Sequence, residues 1–245
     1  MLESAPTLEV LRDGEIEVVG RIHGSSNHAL LVTVTLPCPD PGEPPRVLHA
    51  IHKPRIGERP LDDFPDGTLG HRELAAFLVS EATGWSIVPP TIIRDGPFGE
   101  GMVQAFVEPD PGVDVIAWIN EDEPRLRRMA VFDAAVNNTD RKGGHILPVD
   151  GGRHVYGVDH GVCFSVTPKL RTVLWAWRGT RLDDEEVAGL ERARVALDGE
   201  LATELRPLLS RAEGRATIRR IDALLEARRF PYPSPAWPAI PWPPF

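Results

Sequence analysis

One stretch of the sequence, residues 137–161, constrains the fold and the chemistry of this chain more than any other. It reads NNTDRKGGHILPVDGGRHVYGVDHG, with a short apolar run on each side of the DGG turn at 150–152. Two short runs around such a turn are typical of a β-hairpin with a loop at each end. Because a hairpin brings its two ends together, we expect Asp140 and Asp159 to lie across one cleft.

Two carboxylates at one cleft can do two jobs in phosphoryl transfer. One can accept the proton of an attacking hydroxyl group, and the other can hold a divalent cation on a phosphate. Taken singly, each aspartate is better explained by local structure, Asp140 as the cap of a turn and Asp159 as the end of a strand. The pair indicates a function only together with the rest of the chain.

The composition indicates a soluble globular protein. The 245 residues are 42% hydrophobic and 26% charged, and no run approaches the ~20 apolar residues of a membrane span. The N-terminal sequence lacks the basic and then apolar layout of a signal peptide. The two cysteines have no metal-ligand spacing, so we expect a cytoplasmic protein without disulfides or structural zinc. A net charge of −9 argues against nucleic acid and anionic membranes as partners.

The first half of the sequence predicts an antiparallel sheet with one helix. The predicted strands are two within 8–36, then 46–53, 87–93 and 101–107. The helix is predicted at 71–84, where a glycine suits its C-terminal cap. Small residues at the 24–28 tip, among them Ser25 and Ser26, can expose backbone N–H groups to a phosphate, although most such tips are simple turns.

Two charged residues in this half have alternative explanations. Lys53 ends the strand 46–53, where a lysine is usually solvated but could also reach phosphate oxygens from the sheet face. Glu73 lies in the first turn of the helix, where the helix dipole favours an acid. The functional alternative is an ion pair between Glu73 and Lys53.

The second half is predicted to be mainly helical. The acidic Pro/Gly segment at 108–112 marks a boundary, so we assign 1–108 to an N-lobe, 109–230 to a C-lobe and 231–245 to a Pro/Trp-rich tail. The predicted helices are 124–137, 183–197, 200–212 and 216–228. The Pro/Trp-rich tail is either a polyproline II ligand for a partner or a segment that packs on its own domain, which we favour.

The order of these features resembles that of the phosphatidylinositol 3/4-kinase superfamily. The matching motifs are HKP, RELAAFLVSEATGWSIVPPT, GMVQAFVEP, NNTDR and VDHG. The chain resembles especially the type II phosphatidylinositol 4-kinases, more distantly the serine kinases of bacterial toxin–antitoxin modules, and most closely an actinobacterial kinase-like family. The resemblance implies an α+β, two-lobed protein-kinase-like fold with an antiparallel β N-lobe and a mainly helical C-lobe.

The resemblance also implies a nucleotide site. The implied cofactor-binding residues are Ser25, Ser26, Lys53, Glu73, Gln104, Phe106 and Val107. Lys53 would contact the phosphates and pair with Glu73, and the tip at 24–27 would cover the phosphates. Backbone groups of Phe106 and Val107 would face the adenine.

For the chemical step, the resemblance implies Asp140 as the catalytic aspartate and Asp159 as the Mg²⁺ ligand. His145 stands five residues after Asp140, where the lipid kinases usually carry a metal-binding asparagine. An imidazole there either binds metal, which favours Mn²⁺ over Mg²⁺, or does not touch metal at all.

We therefore predict an ATP-dependent phosphotransferase that uses Mg²⁺ or Mn²⁺. A protein or small-molecule hydroxyl is the expected acceptor, because the stretch after Asp159 is only modestly basic and has no cysteine cluster for palmitoylation. The alternatives are a nucleotide-binding pseudokinase, suggested by His145, an AMP transferase, a lipid kinase and an interaction domain whose working part is the Pro/Trp-rich tail. We expect no nucleic-acid partner and no stable membrane association.

Overall fold

The computed structural model describes residues 2–22, 28–38, 40 and 42–245. The strands of its first half are β1 (Glu15–Arg21), β2 (Leu30–Leu36), β3 (Arg46–Pro54), β4 (Thr91–Gly96) and β5 (Gly99–Ala105). They form one antiparallel sheet in the order β1-β2-β3-β5-β4. The predicted antiparallel sheet is confirmed, although β4 and β5 are joined by a shorter turn than the sequence indicated.

A helix precedes the sheet where the sequence predicted strand. α1 (Ser4–Asp13) takes up residues 8–13, which the pattern assigned to the antiparallel start. The side chains of Val10 and Leu11 are buried against the apolar face of β2 and β3, and the guanidinium of Arg94 on β4 donates to the carbonyl of Leu11 at 2.7 Å. The helix prevails over a strand because it covers a sheet face that water would otherwise contact.

The two faces of β3 have different environments because side chains alternate along a strand. Ala50 and His52 lie on the face covered by α1 and are completely buried. Lys53 follows on the opposite face, with 19% of its side chain exposed. This alternation places the lysine in the cleft rather than in the core.

α2 (Leu69–Thr83) packs on β4 and β5 and confirms the predicted helix. Both carboxylate oxygens of Glu58 accept backbone N–H groups at its N-terminus, from Leu69 at 3.1 Å and from Gly70 at 2.8 Å. Gly84 ends it with a φ of 72°, a left-handed conformation that glycine adopts without steric cost. The helix is thus fixed at both ends.

The second half contains five helices and one hairpin among the described residues. They are α3 (Val115–Asn120), α4 (Arg127–Val136), β6 (Ile146–Val149), β7 (His154–Gly157), α5 (Asp184–Ala196), α6 (Glu200–Leu205) and α7 (Arg211–Ala227). The predicted helix at 200–212 is wrong beyond Leu205, because Pro207 has no N–H to continue it. Ser210 then starts α7 with a capping box that includes Glu213.

The predicted β6–β7 hairpin is confirmed, with Ile146 opposite Gly157 and Val149 opposite His154. Asp110, in the segment predicted as the lobe boundary, contacts this hairpin. Its backbone N–H donates to the carbonyl of Pro148 at 2.7 Å. The segment between the sheet and the helical half is therefore attached to the hairpin, while the boundary at residue 108 stays a prediction.

The Pro/Trp-rich tail, which the structure describes throughout, forms neither helix nor strand and packs on the helical half. The carbonyl of Ala239 accepts hydrogen bonds from the Thr172 N–H at 3.0 Å and from the Trp175 indole at 2.8 Å. The expectation that the tail packs on its own domain is confirmed. Within the described part of the chain, no helix has the length and apolar character needed to cross a bilayer.

Candidate active site

The β6–β7 hairpin and the end of α4 bring three potential metal ligands together. One carboxylate oxygen each of Asp140 and Asp159 and one ring nitrogen of His145 all lie within 4.8 Å of one another. His145 Nε2 lies 3.3 Å from Asp159 Oδ2. The two aspartates therefore do lie at one cleft, as the hairpin prediction requires.

Lys53 connects the sheet to this group. Its Nζ lies 2.7 Å from Glu73 Oε1 and 2.9 Å from Asp159 Oδ1. The ammonium group thus contacts carboxylates from α2 and from the loop after β7 at once.

Neighbouring charges shift the pKa values of Lys53 and Asp159. Burial by itself lowers the pKa of Lys53, but the neighbouring carboxylates of Asp159 and Glu73 raise it well above its usual range. The ammonium of Lys53 in turn holds the pKa of Asp159 well below its usual range. Both groups are therefore charged at neutral pH.

Glu73 joins α2 to the loop that carries Asp159. Its side chain is buried, and its second carboxylate oxygen accepts the backbone N–H of His160 at 2.8 Å. Asp159 itself has a φ of 62°, a left-handed conformation that is uncommon outside glycine and that costs backbone energy. The hydrogen bond from His160 and the ion pair with Lys53 hold this conformation in place.

A buried ion pair that the sequence analysis did not single out supports the Asp140 loop. The guanidinium of Arg141 contacts both carboxylate oxygens of Asp133 on α4, at 2.8 to 3.2 Å, and both side chains are completely buried. Asn138 donates from its side-chain amide to the same carboxylate at 3.0 Å, and its amide oxygen accepts the Asp140 N–H at 2.9 Å. This network determines where Asp140 lies.

Arg141 also reaches the other end of the hairpin. Its Nη1 donates to the carbonyl oxygens of His145 and Val158, at 3.2 and 3.1 Å. Its Nη2 lies 2.6 Å from Nε2 of His160. Burial and the neighbouring charge of Arg141 lower the pKa of His160 well below its usual range, so the ring is neutral and accepts this hydrogen bond at Nε2.

Lys142 is a second cation at the site that the sequence analysis passed over. Its Nζ lies 3.2 Å from Asp140 Oδ2. Its position two residues after Asp140, at the end of the NNTDRK segment, was the available signal. The structure shows that the two side chains share one side of the loop.

Lys53, Glu73, Asp140 and Asp159 line a cleft of about 710 Å³. The segment 58–64 lines the same cleft. The volume is within the range of small-molecule binding sites in proteins.

The residues predicted at the hinge lie apart from this cleft. Gln104 is buried in the sheet and donates from its amide to the Thr91 hydroxyl at 2.8 Å. The Phe106 N–H donates to the carbonyl of His49 at 2.9 Å, which extends the pairing with β3. Phe106 and Val107 line a separate cavity of about 460 Å³ together with Tyr156. Their predicted contact with adenine stays a prediction.

The remaining nucleotide-binding prediction falls on Ser25 and Ser26, which lie outside the described residues.

The donor atoms at Asp140, His145 and Asp159 suit a divalent cation. Two carboxylates and one imidazole form a mixed oxygen and nitrogen set, which fits Mn²⁺ and, through the carboxylates, Mg²⁺. Burial lowers the pKa of His145, so its ring is neutral and has a lone pair available for a metal. Its Nδ1 is buried without a hydrogen-bond partner among the described residues.

Comparison with known proteins identifies one sequence relative and several solved structures. No model of a known protein family matches the chain. Protein Rv2133c of Mycobacterium tuberculosis is 44% identical over 272 residues, which cover 96% of this chain and 94% of that protein.

Two solved structures show the fold. A hydra Fam20 protein, solved with sugar, has a TM-score of 0.54 at 13% identity and covers 93% of this chain and 89% of its own. The Golgi casein kinase has a TM-score of 0.51 at 14% identity, over 91% of this chain and 73% of its own. The predicted α+β kinase-like fold, with an antiparallel sheet and a helical part, is confirmed. The specific likeness to type II phosphatidylinositol 4-kinases stays a prediction.

Proposed function

We propose that this chain, which belongs to the same family as Protein Rv2133c of Mycobacterium tuberculosis, is an ATP-dependent phosphotransferase that moves the γ-phosphate of ATP to a hydroxyl group. One observation carries the proposal. Lys53 contacts Glu73 and Asp159 at once, on the wall of the same cleft that holds Asp140. The kinase-like fold supports the proposal, because such a fold places a triphosphate in the cleft between its lysine and its catalytic and metal-binding aspartates.

In the proposed complex, Lys53 binds phosphate oxygens. Glu73 orients the ammonium group from the buried side, because its carboxylate is already fixed by the His160 N–H. An ammonium that is charged at neutral pH is suited to this task, and the neighbouring carboxylates raise the pKa of Lys53. Nucleotide binding would replace part of the present contact between Lys53 and Asp159.

Asp140 is proposed as the catalytic residue of the transfer step. The acceptor oxygen attacks the γ-phosphorus, the bond from phosphorus to the β,γ-bridging oxygen breaks, and ADP leaves. The acceptor proton passes to the Asp140 carboxylate. The hydrogen bond from the Asp140 backbone N–H to the Asn138 amide oxygen holds the backbone of this residue in position. Lys142, 3.2 Å from Asp140, would offset negative charge that develops on the transferred group.

The proposed metal ligands are Asp159 and His145, with Asp140 close enough to contribute. A divalent cation bound there would neutralise charge on the phosphates. Asp159 is ionised at neutral pH, because Lys53 lowers its pKa. Its strained backbone is consistent with a functional rather than a structural role.

The acceptor is proposed to be a protein or small-molecule hydroxyl and not a membrane lipid. The acidic residues Glu58, Asp62 and Asp63 line the cleft beside its cations. The net charge of the chain is −9. Both features oppose docking on an anionic bilayer.

Transfer of label from ATP tests the proposal. The purified protein is incubated with Mg²⁺ or Mn²⁺ and with ATP labelled at the γ- or the α-phosphate, alone and with mixed protein or metabolite acceptors. Label transferred from the γ-phosphate alone supports the phosphotransferase. Label from the α-phosphate would instead identify an AMP transferase, and ATP binding without transfer would identify a pseudokinase.

A further inference from the structure

We infer that the Pro/Trp-rich tail is a positioning segment for the loop that carries Asp140 and His145, and not a ligand for a separate partner. The inference rests on the proposed function for its catalytic consequence only, because the contacts themselves are properties of the fold. Phe245 and Gly143 are its central residues.

The first contact lies inside the loop itself. The N–H of Gly143, halfway between Asp140 and His145, donates to the carbonyl of Pro244 at 2.9 Å. The ring of Phe245 covers the same glycine so closely that an added Cβ at Gly143 would lie 2.3 Å from its Cδ1. Gly143 is buried as a result, although Phe245 itself is 53% exposed.

The second contact reaches the loop through an intermediate segment. The Arg141 N–H donates to the carbonyl of Arg171, and the Val173 N–H donates to the carbonyl of Arg141, both at 3.1 Å. Thr172 lies between these two partners, and its own N–H donates to Ala239 of the tail at 3.0 Å. The backbone next to Asp140, the segment 171–173 and the tail thus form three adjacent layers.

The third contact lies at the rim of the cleft. Lys169, which lines the cleft, has its Nζ 2.5 Å from Asp63 Oδ2 on the segment 58–64. The same ammonium group lies 4.5 Å from the ring centroid of Trp237 in the tail, a cation–π distance. The tail therefore touches the catalytic loop, its support and the cleft wall, all on one side of the site.

A partner ligand of the polyproline type would need this segment to be free. Instead, three separate contacts hold the tail against the protein's own active-site loop, its supporting segment and the cleft wall. We expect them to matter for catalysis, because a displacement of about 1 Å in a positioned group can cost roughly 10²-fold in rate.

Four single variants and one double variant test the inference. Gly143→Ala introduces a methyl group that displaces the Phe245 ring, and Phe245→Ala removes the ring. Gly144→Ala is the matched control in the same loop, because nothing lies within 4 Å of its added Cβ. Trp242→Ala is the matched control in the tail, because Trp242 is 85% exposed. Neither loop glycine has a positive φ, so alanine fits the backbone at both positions.

Amide hydrogen exchange of the peptide 139–146 gives a readout that needs no activity. Gly143→Ala and Phe245→Ala should accelerate its exchange by about five- to tenfold, the effect of weakening one buried hydrogen bond. Gly144→Ala and Trp242→Ala should exchange like wild type. Wild-type exchange in both test variants overturns the inference, whether or not the protein transfers phosphate.

The catalytic readout is γ-phosphate transfer at saturating ATP together with the ATP dissociation constant. We expect both test variants to lose about 10- to 100-fold in rate while the dissociation constant stays within about twofold. The double variant, which combines Gly143→Ala with Phe245→Ala, should be no slower than the slower single variant, because both changes break the same contact. Faster exchange with an unchanged rate overturns the positioning role. Absence of transfer in the wild type refutes the proposed function, and exchange then decides the inference alone.

Discussion

Arg72 Nη2 lies 2.5 Å from Glu213 Oε1, and this ion pair fastens α2 to α7. Only 1% of the Arg72 side chain and 11% of the Glu213 side chain are exposed. Arg72 also donates to the carbonyl of Cys163 at 2.8 Å. Because Glu73 is the next residue on α2, the pair fixes the position of the carboxylate that contacts Lys53. α2 is therefore attached to the helical half and not only to the sheet.

Arg72→Ala should lower the free energy of unfolding by about 3 to 5 kcal/mol, because it leaves the Glu213 carboxylate buried without its partner. Urea unfolding measures the change. The matched control is Arg46→Ala, which breaks the exposed ion pair with Glu9, 43% and 55% exposed, and should cost less than about 1 kcal/mol. Equal costs for the two variants would contradict the structural role given to Arg72.

Lys53→Met and Asp159→Ala should each abolish stabilisation by ATP and metal, because Lys53 is proposed to bind the phosphates and Asp159 the cation. In the wild type, ATP at about 100 times its dissociation constant should add roughly 2.7 kcal/mol to the free energy of unfolding. Melting curves with and without ATP and Mg²⁺ measure the shift, each variant compared with its own ligand-free form. Arg55→Met is the control, since Arg55 is exposed and lines a different cavity. Retention of the wild-type shift in both variants would place the nucleotide elsewhere.

The sequence predicts those site residues that stand in a recognisable local motif. Lys53, Glu73, Asp140 and Asp159 each follow a local signal, and the hairpin turn explains why two distant aspartates meet. The structure brings Lys53, Glu73 and Asp159 into direct contact. Their roles toward ATP and metal stay predictions.

The sequence does not predict what depends on burial. Arg141 looks like a surface arginine in NNTDR, yet it is completely buried against Asp133, eight residues earlier on α4. The residues 8–13 lie within the range predicted as the start of the antiparallel sheet, yet they belong to α1, which packs its apolar residues against the sheet face. The contact of the tail with Gly143 joins segments about 100 residues apart, and no local pattern reports such a distance.

Asp140→Asn should leave ATP binding nearly intact and reduce phosphate transfer by about 10²- to 10⁴-fold, the usual worth of general-base help. The amide keeps the shape of the side chain but cannot accept the acceptor proton. Transfer rate and ATP affinity are measured on the same preparation. Asp122→Asn, an exposed turn position in the helical half, is the control and should behave as wild type. A wild-type rate in Asp140→Asn would rule out its catalytic role.

His145→Asn should shift metal preference from Mn²⁺ toward Mg²⁺. An imidazole nitrogen suits Mn²⁺ better than Mg²⁺, whereas an amide oxygen suits Mg²⁺. The measurement is the ratio of transfer rates with the two metals in wild type and variant. The same ratio in both proteins would show that His145 is not a ligand, and that its 3.3 Å contact with Asp159 serves only to orient the carboxylate.

His160 should make the fold less stable in acid. Its pKa is lowered well below the ordinary value of 6.5 by burial and by Arg141. Between the lowered value and 6.5 the unfolded chain binds a proton that the folded chain excludes, so stability falls as pH drops through this window. Each excluded proton contributes about 1.4 kcal/mol per pH unit. His52, His145 and His154 also have lowered pKa values, and they add to this decrease of stability with falling pH.

His160→Gln isolates the contribution of this one ring, because glutamine keeps a hydrogen-bond acceptor for Arg141 but does not titrate. The free energy of unfolding is measured with urea at pH 7.5, 6.5 and 5.5. Its decrease with falling pH should be less steep in the variant than in the wild type, by the equivalent of up to one bound proton. Identical slopes in wild type and His160→Gln would mean that the folded protein protonates the His160 ring as readily as the unfolded chain does. That outcome would contradict the hydrogen bond that the ring accepts from Arg141.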